Sequence, residues 1–540
     1  MQVEFILLIL SLLFLISIIA DKIGYKFGVP ALLLFLAVGM LFGPHGMGGL
    51  IGGDGVEIDI DVAQAISTLA MCIILFSGGL DTKLSDIKSV LAPGITLATL
   101  GVLLTCVITG VLIYIIFGWI NAVASVSIWM ALLMAATMSS TDSASVFSIL
   151  RTNGVGLRHN LRPLLELESG SNDPMAYVLT TTLISIVVGI QLAGGDTTVV
   201  SALPIIQTIV IQLVMGTVLG VAFGEGLVQL LRRVKLGNEA LYPIMILTAC
   251  IFIFSITYYL KGNTYLAVYV GGLVIGNNKF TRKRQTKSFF NGLTWLSQLV
   301  MFLMLGLMVK PAELLNYRVW LPCLIISIVM ICISRPVSVW VCMLPFRQFR
   351  QRDRLMLSWV GLKGAVPIIF AIMCKAQHVP YADLLFNVVF LCTIVSLLTQ
   401  GTTLSLAAKK LALDTKPDEE RTLEHFDMDL PDEIQSSARE VEVTDRMIKM
   451  GNTLRELQLP PHTLIIMVRR GEDFFVPTGQ SELQIGDQLL VISDKDAEAT
   501  YKQMTNEAEE DAIWRAQMRQ KVKSRVEHLI DLMHKKKSVK

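Results

Sequence analysis

The chain has 540 residues, of which 53% are hydrophobic and only 17% are charged, with a formal net charge of +2. Soluble globular domains carry about a quarter charged residues, so this composition excludes an ordinary soluble protein and indicates a large membrane protein. The net charge itself says little because the charges are unevenly distributed along the chain, and we expect no nucleic-acid partner.

Apolar runs recur along most of the chain. A helix needs about 20 apolar residues to cross the hydrocarbon core of a membrane. No basic residue precedes the first run, so we interpret it as a retained span rather than a cleaved signal peptide. The sequence predicts thirteen spans, near residues 3–20, 28–43, 62–80, 91–117, 124–150, 162–190, 204–231, 240–260, 264–278, 289–309, 318–345, 355–376 and 383–408.

Basic residues divide unevenly between the loops that join these spans. Nineteen lie after odd-numbered spans, counting Arg162 at the start of the sixth, and four lie after even-numbered spans. Because cytoplasmic loops carry the excess of lysine and arginine, the odd loops are predicted to be cytoplasmic. The N-terminus is then outside and the C-terminus cytoplasmic, and we expect a lipid-embedded, multi-pass protein of the bacterial inner membrane.

The composition changes after Lys410. We divide the chain into a membrane domain at 1–410, an acidic linker at 411–435, a small α/β domain at 436–505 and an amphipathic helical tail at 506–540. Short β-rich runs such as Thr463–Val468, with the turn pair Arg470-Gly471, predict the strands of the third segment. The expected fold is therefore an all-α polytopic membrane domain followed by a small cytoplasmic α/β domain.

Asp173 lies in the sixth predicted span, in the run ESGSNDPMAY. It is about 16 Å beyond the cytoplasmic Arg162 at 1.5 Å per residue, which places it near mid-membrane. An ionisable group there costs roughly 3 kcal/mol or more, so it marks a candidate functional site. Pro174 leaves helical carbonyl groups free to face a cation, and the carboxylate can hold a proton or a cation but hardly both. The alternative is an aspartate paired with a lysine for structure.

Arg335 lies at a similar depth in the eleventh span and needs a carboxylate partner. Glu168 is available, and because it is five residues from Asp173 it faces a different direction on the same helix. We predict a structural Glu168–Arg335 ion pair that leaves Asp173 for transport. One difficulty is that Glu168 is nominally nearer the cytoplasmic side than Arg335, so helix tilt and the long arginine side chain must close the gap.

Asp142 and Lys363 lie in the stretches MSSTDSAS and GLKGAVP, which form poor helix for mid-membrane. Each is nine residues from a cytoplasmic arginine, so the two lie at matching depth in antiparallel spans. This pattern predicts two crossed broken helices in an inverted repeat. Asp142 would lie at helix N-termini, which carry partial positive charge, and Lys363 at helix C-termini, which carry partial negative charge. Thr141 would then lie within reach of a bound cation. Two ordinary helices with a polar seam are the alternative.

Other chemistries lack their motifs. No nucleotide-binding motif, His/Glu metal motif or nucleophile–base pair occurs in the spans. The eight cysteines all lie in apolar runs without metal-ligand spacing and are typical of small hydrophobic residues. We therefore expect neither an enzyme nor a resident cofactor or metal.

Four separated motifs, in order, resemble the monovalent cation/proton antiporter family of the NhaP type over about residues 5–405. They are Thr141-Asp142, the string Glu168-Ser-Gly-Ser-Asn172-Asp173, Arg335, and Gly361-Leu-Lys363-Gly-Ala-Val. The resemblance implies a thirteen-helix antiporter fold, a homodimer, and a core domain that moves against a dimerisation domain. The Asn-Asp pair is typical of electroneutral members.

The resemblance also implies roles for individual residues. Asp173 is implied to bind cation and proton alternately, with Asn172, Asp142 and Thr141 as its helpers. Glu168 and Arg335 match the structural ion pair of the family. The chain departs from the family at 169–171, where Ser-Gly-Ser replaces bulkier apolar residues, and we expect more room beside the site.

The segment at 436–505 resembles the C-terminal subdomain of potassium-channel regulatory domains, through Pro477, Gly479, Gly486 and Asp487. Such modules usually dimerise, and the resemblance implies a small regulatory ligand, for example of nucleotide type. A passive dimerisation module is the alternative. Antiporters of the NhaP type with this module are typically potassium/proton exchangers, which is the only basis for expecting K⁺ rather than Na⁺.

These features together predict a secondary active antiporter that exchanges cytoplasmic K⁺ for H⁺ by alternating access, without net charge movement, in potassium and pH homeostasis. A Na⁺/H⁺ antiporter of the same fold is one alternative. The other is a cation channel regulated by the same kind of module, although no filter-like run such as TVGYG is present.

Overall fold

Apolar helices account for most of the chain before Asp414 in the computed structural model. The structure describes residues 4, 8, 11–19, 31–43, 58–119, 126–194, 196, 201–234, 236–314, 316–415, 438–443, 448, 453–456, 463–471 and 473–493. Residues 11–19 are helical. The helices that follow are α1 (Ala31–Phe42), α2 (Ile60–Asp81), α3 (Leu84–Trp119), α4 (Ile128–Thr137), α5 (Ser143–Thr152), α6 (Leu161–Leu192), α7 (Ala202–Arg233), α8 (Leu241–Tyr259), α9 (Thr264–Gly276), α10 (Lys283–Met308), α11 (Val319–Met343), α12 (Gln351–Trp359), α13 (Val366–Ala376) and α14 (Ala382–Lys410), with a short helical turn at Pro311–Leu314.

Eight of the described helices are long and apolar enough to cross a membrane, judged by length and composition. The helices α1, α4, α9 and α13 are shorter apolar elements. Described helices coincide with every predicted span from the second to the last, and residues 11–19 lie within the first. The fifth and twelfth spans are each divided into two helices, α4 with α5 and α12 with α13. The chain is thus a multi-pass membrane protein, mostly helical as expected.

Helix α9 packs against both α2 and α7 through close backbone contacts at glycines. A Cβ atom at Gly216 of α7 would lie 2.7 Å from the carbonyl oxygen of Asn263, and one at Gly220 would lie 2.7 Å from that of Ala267. A side chain at Gly272 of α9 would collide with the carbonyl group of Phe76 in α2. Small residues let membrane helices approach this closely. The helices α2, α9 and α7 therefore form a tightly packed scaffold.

Within the described part of the chain, three membrane helices contain a π-helical turn, in which the helix gains an extra residue. The turns are Leu97–Gly101 in α3, Met330–Ser334 in α11 and Leu397–Gly401 in α14. Such turns are rare and frequently lie near functional sites. The turn in α11 ends immediately before Arg335, and the turn in α14 contains Gln400.

Two short strands join distant parts of the membrane unit. The strand β1 (Gly156–Leu157) lies in the loop between α5 and α6, and β2 (Asp414–Thr415) lies just after α14. They pair in antiparallel fashion, with Gly156 opposite Thr415. The chain forms one compact unit at Met1–Pro417 and a second at Asp418–Lys540, and β2 belongs to the first.

The second unit contains a four-stranded antiparallel sheet in the order β3-β6-β4-β5. The residues Val441, Val468, Leu489 and Val491 are buried together on one side of the sheet. The predicted strands therefore form the expected small α/β region. The tail helix predicted at 506–540 and the part of the predicted linker at 416–435 lie outside the described residues. The strands are β3 (Ala438–Glu442), β4 (Thr463–Arg470), β5 (Asp473–Phe475) and β6 (Gln488–Ser493).

Arg470 and Asp487 form a two-pronged ion pair beside this sheet, with Nε–Oδ1 and Nη2–Oδ2 distances of 2.9 and 2.8 Å. Burial acts to raise the pKa of the Asp487 carboxyl, but hydrogen bonds from Arg470 and the Gln484 N–H outweigh it and the pKa lies below its usual value. Gly486 has a φ of 89°, a conformation that favours glycine. The Gly486-Asp487 pair noted in the sequence is therefore a structural element of the sheet.

Candidate functional site

The first broken helix is interrupted at residues 138–142, between α4 and α5. Ser169 of α6 holds this interruption, because its Oγ donates to the Thr141 carbonyl oxygen at 2.8 Å and accepts from the Ser143 N–H at 3.0 Å. Asn172 lies one turn further along α6, and its Nδ2 donates to Thr141 Oγ1 at 2.7 Å. The backbone groups that the missing helical turn leaves free are thus partly satisfied from α6.

The second broken helix is interrupted at residues 360–365, between α12 and α13. Two buried side chains of α14 satisfy its backbone. The Lys363 N–H donates to Ser396 Oγ at 3.1 Å, and Gln400 Nε2 donates to the Trp359 carbonyl oxygen at 2.8 Å. Ser396 in turn donates to Gln400 Oε1 at 2.7 Å. The π-helical turn of α14 carries Gln400 and so takes part in holding this interruption.

The two interruptions meet directly. The Asp142 N–H donates to the Leu362 carbonyl oxygen at 2.9 Å, and Lys363 Nζ donates to the Ser140 carbonyl oxygen at 2.8 Å. A side chain at Gly364 would collide with the Asp142 carboxyl group, so glycine permits the close crossing. The charge of Lys363 therefore lies at the carbonyl end of α4, where a helix carries partial negative charge.

Asp142 lies at the opposite kind of helix end. Its carboxyl oxygens accept from the Ser145 N–H at 3.1 Å and from Ser145 Oγ at 2.5 Å. These bonds place the carboxylate on the first turn of α5, where the free backbone N–H groups carry partial positive charge.

Asp173 lies on α6 with 6% of its surface exposed. Its electrostatic neighbours are Asp142 and Lys363, and the Ser140 hydroxyl is its hydrogen-bonding neighbour. Among the described residues, no ion pair joins Asp173 to a cationic side chain, and its Oδ1 has no hydrogen-bond partner. The Oδ1 atom of Asn172 also lacks one. Two adjacent residues therefore present free oxygen atoms beside the crossing of the broken helices.

Glu168 and Arg335 are in direct contact, with an Oε1–Nη1 distance of 2.5 Å and only 1% and 6% of their side chains exposed. Arg335 Nη2 also lies 3.4 Å from the Val360 carbonyl oxygen, at the second interruption. A π-helical turn immediately precedes Arg335 and changes the register of α11 at that point. Neither member of the pair is among the electrostatic neighbours of Asp173 named above.

The expectation of extra room at 169–171 is wrong for Ser169 and Gly170. The Ser169 hydroxyl is fully engaged with the first interruption. The space above Gly170 is filled by the Tyr269 ring of α9, since a Cβ atom at Gly170 would lie 2.5 Å from Tyr269 Cε2. The small residues permit close packing of α6 rather than an opening. Among the described residues, no group of three or more His, Cys, Asp or Glu side chains has the arrangement of a metal site.

The loop that holds β1 connects three parts of the membrane unit. Beyond the β1–β2 pair, the Arg158 N–H donates to the Leu413 carbonyl oxygen at 3.0 Å. His159 Nδ1 lies 3.0 Å from Oδ1 of Asp353, which is buried at the start of α12. This loop therefore touches the segment that leaves α14 and the start of the second broken helix. It also joins the two helices, α5 and α6, that carry the residues of the site.

Comparison with known proteins finds matches for both parts of the chain. The sodium/hydrogen exchanger transmembrane family matches residues 8–410, and the TrkA-C domain family matches residues 439–505. These matches agree with the two resemblances seen in the sequence.

Curated relatives cover most of the chain. The K(+)/H(+) antiporter NhaP2 of Shewanella oneidensis is 36% identical over 513 residues, which are 94% of this chain and 84% of that protein. The K(+)/H(+) antiporter NhaP of Alkalimonas amylolytica is 36% identical over 90% of this chain and 80% of its own. The Na(+)/H(+) antiporter NhaS2 of Synechocystis is 29% identical over 69% of this chain and 67% of its own.

Among solved structures, the sodium proton antiporter MjNhaP1 of Methanocaldococcus jannaschii at pH 8 has the same fold. It superposes with a TM-score of 0.63 at 20% sequence identity, covering 76% of this chain and 99% of that one. The likeness concerns the fold alone.

Proposed function

Because the chain belongs to the sodium/hydrogen exchanger family, we propose that it exchanges cytoplasmic K⁺ for H⁺ across the bacterial inner membrane, with Asp173 as the shared binding group. The family and its relatives make the chain a cation/proton antiporter. The observation that carries the proposal for the site is the buried Asp173 carboxyl, whose Oδ1 has no partner among the described residues. A buried, unpartnered carboxylate is costly unless a proton or a cation neutralises it.

The charges around the crossing support one-for-one exchange. Counted in their ionised forms, Asp142 and Asp173 carry two negative charges and Lys363 one positive charge, while Glu168 and Arg335 cancel each other. On this count, the ionised site has one negative charge more than it has positive charges. One proton or one monovalent cation neutralises it, and the arrival of one releases the other. Such an exchange moves no net charge across the membrane.

The oxygen atoms beside Asp173 supply ligands for the cation. Asn172 donates its amide nitrogen to Thr141 Oγ1, which leaves its Oδ1 free to face a cation. The carbonyl oxygen of Thr141 lies at the interruption and is oriented by Ser169. Hard monovalent cations bind such carbonyl, amide and carboxylate oxygens. We propose that Asp142 and Lys363 offset the partial charges of the helix ends, and that the Glu168–Arg335 pair stabilises the fold around them.

The choice of K⁺ over Na⁺ rests on the relatives. Two similar proteins, from Shewanella oneidensis and Alkalimonas amylolytica, are named K(+)/H(+) antiporters, and both match this chain over its membrane and C-terminal parts. The more distant relative from Synechocystis is named a Na(+)/H(+) antiporter. Sodium is therefore the second candidate substrate.

The loops and the C-terminal domain support an orientation in the membrane and a means of regulation. The distribution of basic residues supports an external N-terminus and a cytoplasmic C-terminus. The family resemblance supports a homodimer. The TrkA-C match at 439–505 supports a regulatory domain with a small ligand, for which a nucleotide is one candidate class.

The substrate is tested by proton flux in proteoliposomes that contain a pH-sensitive dye. We expect addition of K⁺ to trigger proton movement that does not respond to an imposed membrane voltage, because one charge replaces another. Rb⁺, with its similar radius, serves as a positive control. Equal or faster proton movement with Na⁺ would make Na⁺ rather than K⁺ the substrate. A voltage-driven cation current without proton movement would contradict the antiporter mechanism.

We propose that the C-terminal domain acts on the site through the β1–β2 pair. The chain that leaves α14 toward this domain is hydrogen-bonded to the loop between α5 and α6. A displacement of residues 413–415 therefore acts directly on the helices that carry Asp142 and Asp173. The regulatory domain needs no contact with the membrane helices for this route.

Replacement of Arg158 by proline is expected to uncouple the domain from transport. Proline removes the N–H that donates to Leu413, at a cost of about 1 kcal/mol. The control is Arg158→Ala, which keeps the N–H and removes the same exposed side chain. Transport by Arg158→Pro should have the same rate with and without residues 418–540. A rate that still changes on removal of the domain, as in Arg158→Ala, would contradict this route.

A further inference from the structure

Three consecutive residues with hydroxyl groups, Ser139, Ser140 and Thr141, lie in the interruption between α4 and α5, and all three are buried. Ser139 Oγ donates to a carbonyl oxygen in the last turn of α4 at 2.7 Å, so it belongs to the end of its own helix. Thr141 Oγ1 accepts the side-chain amide of α6 described above. Ser140 differs from both, because its hydroxyl meets the Asp173 carboxyl group.

Ser140 contacts two oppositely charged groups of the site at once. Its backbone carbonyl oxygen accepts from Lys363 Nζ at 2.8 Å. Its hydroxyl is the hydrogen-bonding neighbour of the Asp173 carboxyl. Only 1% of Ser140 is exposed, so both contacts are made away from bulk solvent. One residue therefore links the ammonium group of Lys363 to the carboxyl group of Asp173.

Lys363 and Asp173 are close enough to attract each other but are not paired. Each is an electrostatic neighbour of the other, yet no ion pair joins them in the part of the chain that the structure describes. Opposite charges in a buried site are weakly screened, so the two would pair if both side chains were free to turn. The ammonium group is held on Ser140 instead, and the Lys363 backbone N–H is fixed by Ser396 Oγ at 3.1 Å.

The free oxygen of Asp173 depends on this arrangement. A carboxyl group that is held through a hydroxyl keeps a fixed direction, and its Oδ1 has no partner among the described residues. The Oδ1 atom of the adjacent Asn172 is free in the same sense, so one cation can meet both. A serine hydroxyl both donates and accepts, so it can hold the carboxyl group with or without a proton on it.

We infer that Ser140 is a positioning residue that keeps Lys363 from pairing with Asp173, its carbonyl oxygen holding the ammonium group and its hydroxyl holding the carboxyl group. The inference rests on the proposed role of Asp173 in cation binding. Without the hydroxyl, the carboxyl group turns toward Lys363, and a transported cation then has to displace a lysine of the protein itself.

The test is calorimetric titration of the purified protein with KCl at one alkaline pH, where protons compete least, with choline chloride keeping the ionic strength constant. Ser140→Ala should weaken K⁺ binding roughly tenfold, the effect of one hydrogen bond to a charged group. Ser140→Thr, which keeps the hydroxyl, should bind within about threefold of the wild type. The control is Ser139→Ala, which removes a hydroxyl of similar burial from the same interruption and should change binding by about twofold or less.

A second background distinguishes this role from that of an ordinary cation ligand. Lys363→Gln keeps an N–H donor for the Ser140 carbonyl oxygen but has no charge to pair with Asp173. In this background, Ser140→Ala should weaken K⁺ binding by only about twofold or less, because the competing cation is gone. Thermal unfolding shows whether each protein is folded, and Lys363→Met replaces Lys363→Gln if the latter is not.

Either of two results would overturn the inference. In the first, Ser140→Ala binds K⁺ no more weakly than Ser139→Ala does. In the second, Ser140→Ala weakens binding equally with and without the Lys363 charge, so that the hydroxyl is a ligand of the cation and not a means of separation. Titration of Asp173→Asn distinguishes a failure of the proposed function. If this variant binds K⁺ as the wild type does, Asp173 is not the binding group; if it loses K⁺ binding while Ser140→Ala keeps it, the inference about Ser140 alone is wrong.

Discussion

Replacement of Asp173 by asparagine is expected to abolish cation-dependent proton movement, with a loss of at least about a hundredfold in rate. The amide has nearly the same shape but neither releases a proton nor carries the charge that attracts a cation. The uncompensated negative charge of the site is then gone, so neither substrate displaces the other. The measurement is dye-reported proton flux in everted vesicles after addition of K⁺ and, separately, of Na⁺.

The matched control for this variant is Glu166→Gln on the same helix. Glu166 is also a carboxylate, but it is 31% exposed and pairs with Arg162 one turn earlier at 2.9 Å. Surface pairs of this kind contribute about 0.5 kcal/mol or less, so transport should remain within about twofold of the wild type. If proton flux survives in Asp173→Asn, another residue is the shared binding group, and Asp142 is the first candidate.

Replacement of Arg335 by glutamine is expected to destabilise the folded protein by about 3–5 kcal/mol, because it leaves the buried Glu168 carboxylate without its partner. The readout is thermal unfolding in detergent, followed by size-exclusion chromatography of the heated sample. The double variant Glu168→Gln with Arg335→Gln removes both charges and should recover much of this stability. It should also retain transport, since neither residue is among the electrostatic neighbours of Asp173.

A different outcome would change the role of this pair. If the double variant is stable but does not exchange cations, then Glu168 or Arg335 takes part in transport itself. If it is as unstable as Arg335→Gln, the loss arises from the hydrogen bond to Val360 and the packing around the arginine rather than from an unpaired charge.

The charged residues of the site could be predicted because an ionisable group in an apolar setting is rare and costly. Depth counted from the cytoplasmic arginines placed Asp142 and Lys363 at one level, and the structure brings their segments into contact through Ser140 and Leu362. The Glu168–Arg335 contact was predicted in the same way. The two side chains meet despite their apparent difference in depth, and a π-helical turn that no sequence pattern indicates lies immediately before Arg335.

The residues that hold the broken helices could not be predicted individually. Ser396 and Gln400 occur in an ordinary apolar span, and nothing in their spacing indicates which backbone groups they meet. Ser169 had one available signal, since it lies four residues before Asp173 and therefore on the same side of α6. The contact of Gly170 with Tyr269 depends on a helix far away in the sequence, which is why small residues were wrongly interpreted as open space.

The strand pair between β1 and β2 also determines where the chain can be divided. A chain that ends at Lys410, the first boundary indicated by composition, lacks Leu413 and both residues of β2. The loop before α6 then loses three partners at once. A change in transport could then come from damage to the membrane unit as well as from loss of the regulatory domain. A chain that ends at Pro417 keeps these partners. The first residues of the predicted linker, through Thr415, are thus part of the exchanger, and a foreign sensor domain grafted onto this protein should be joined after them.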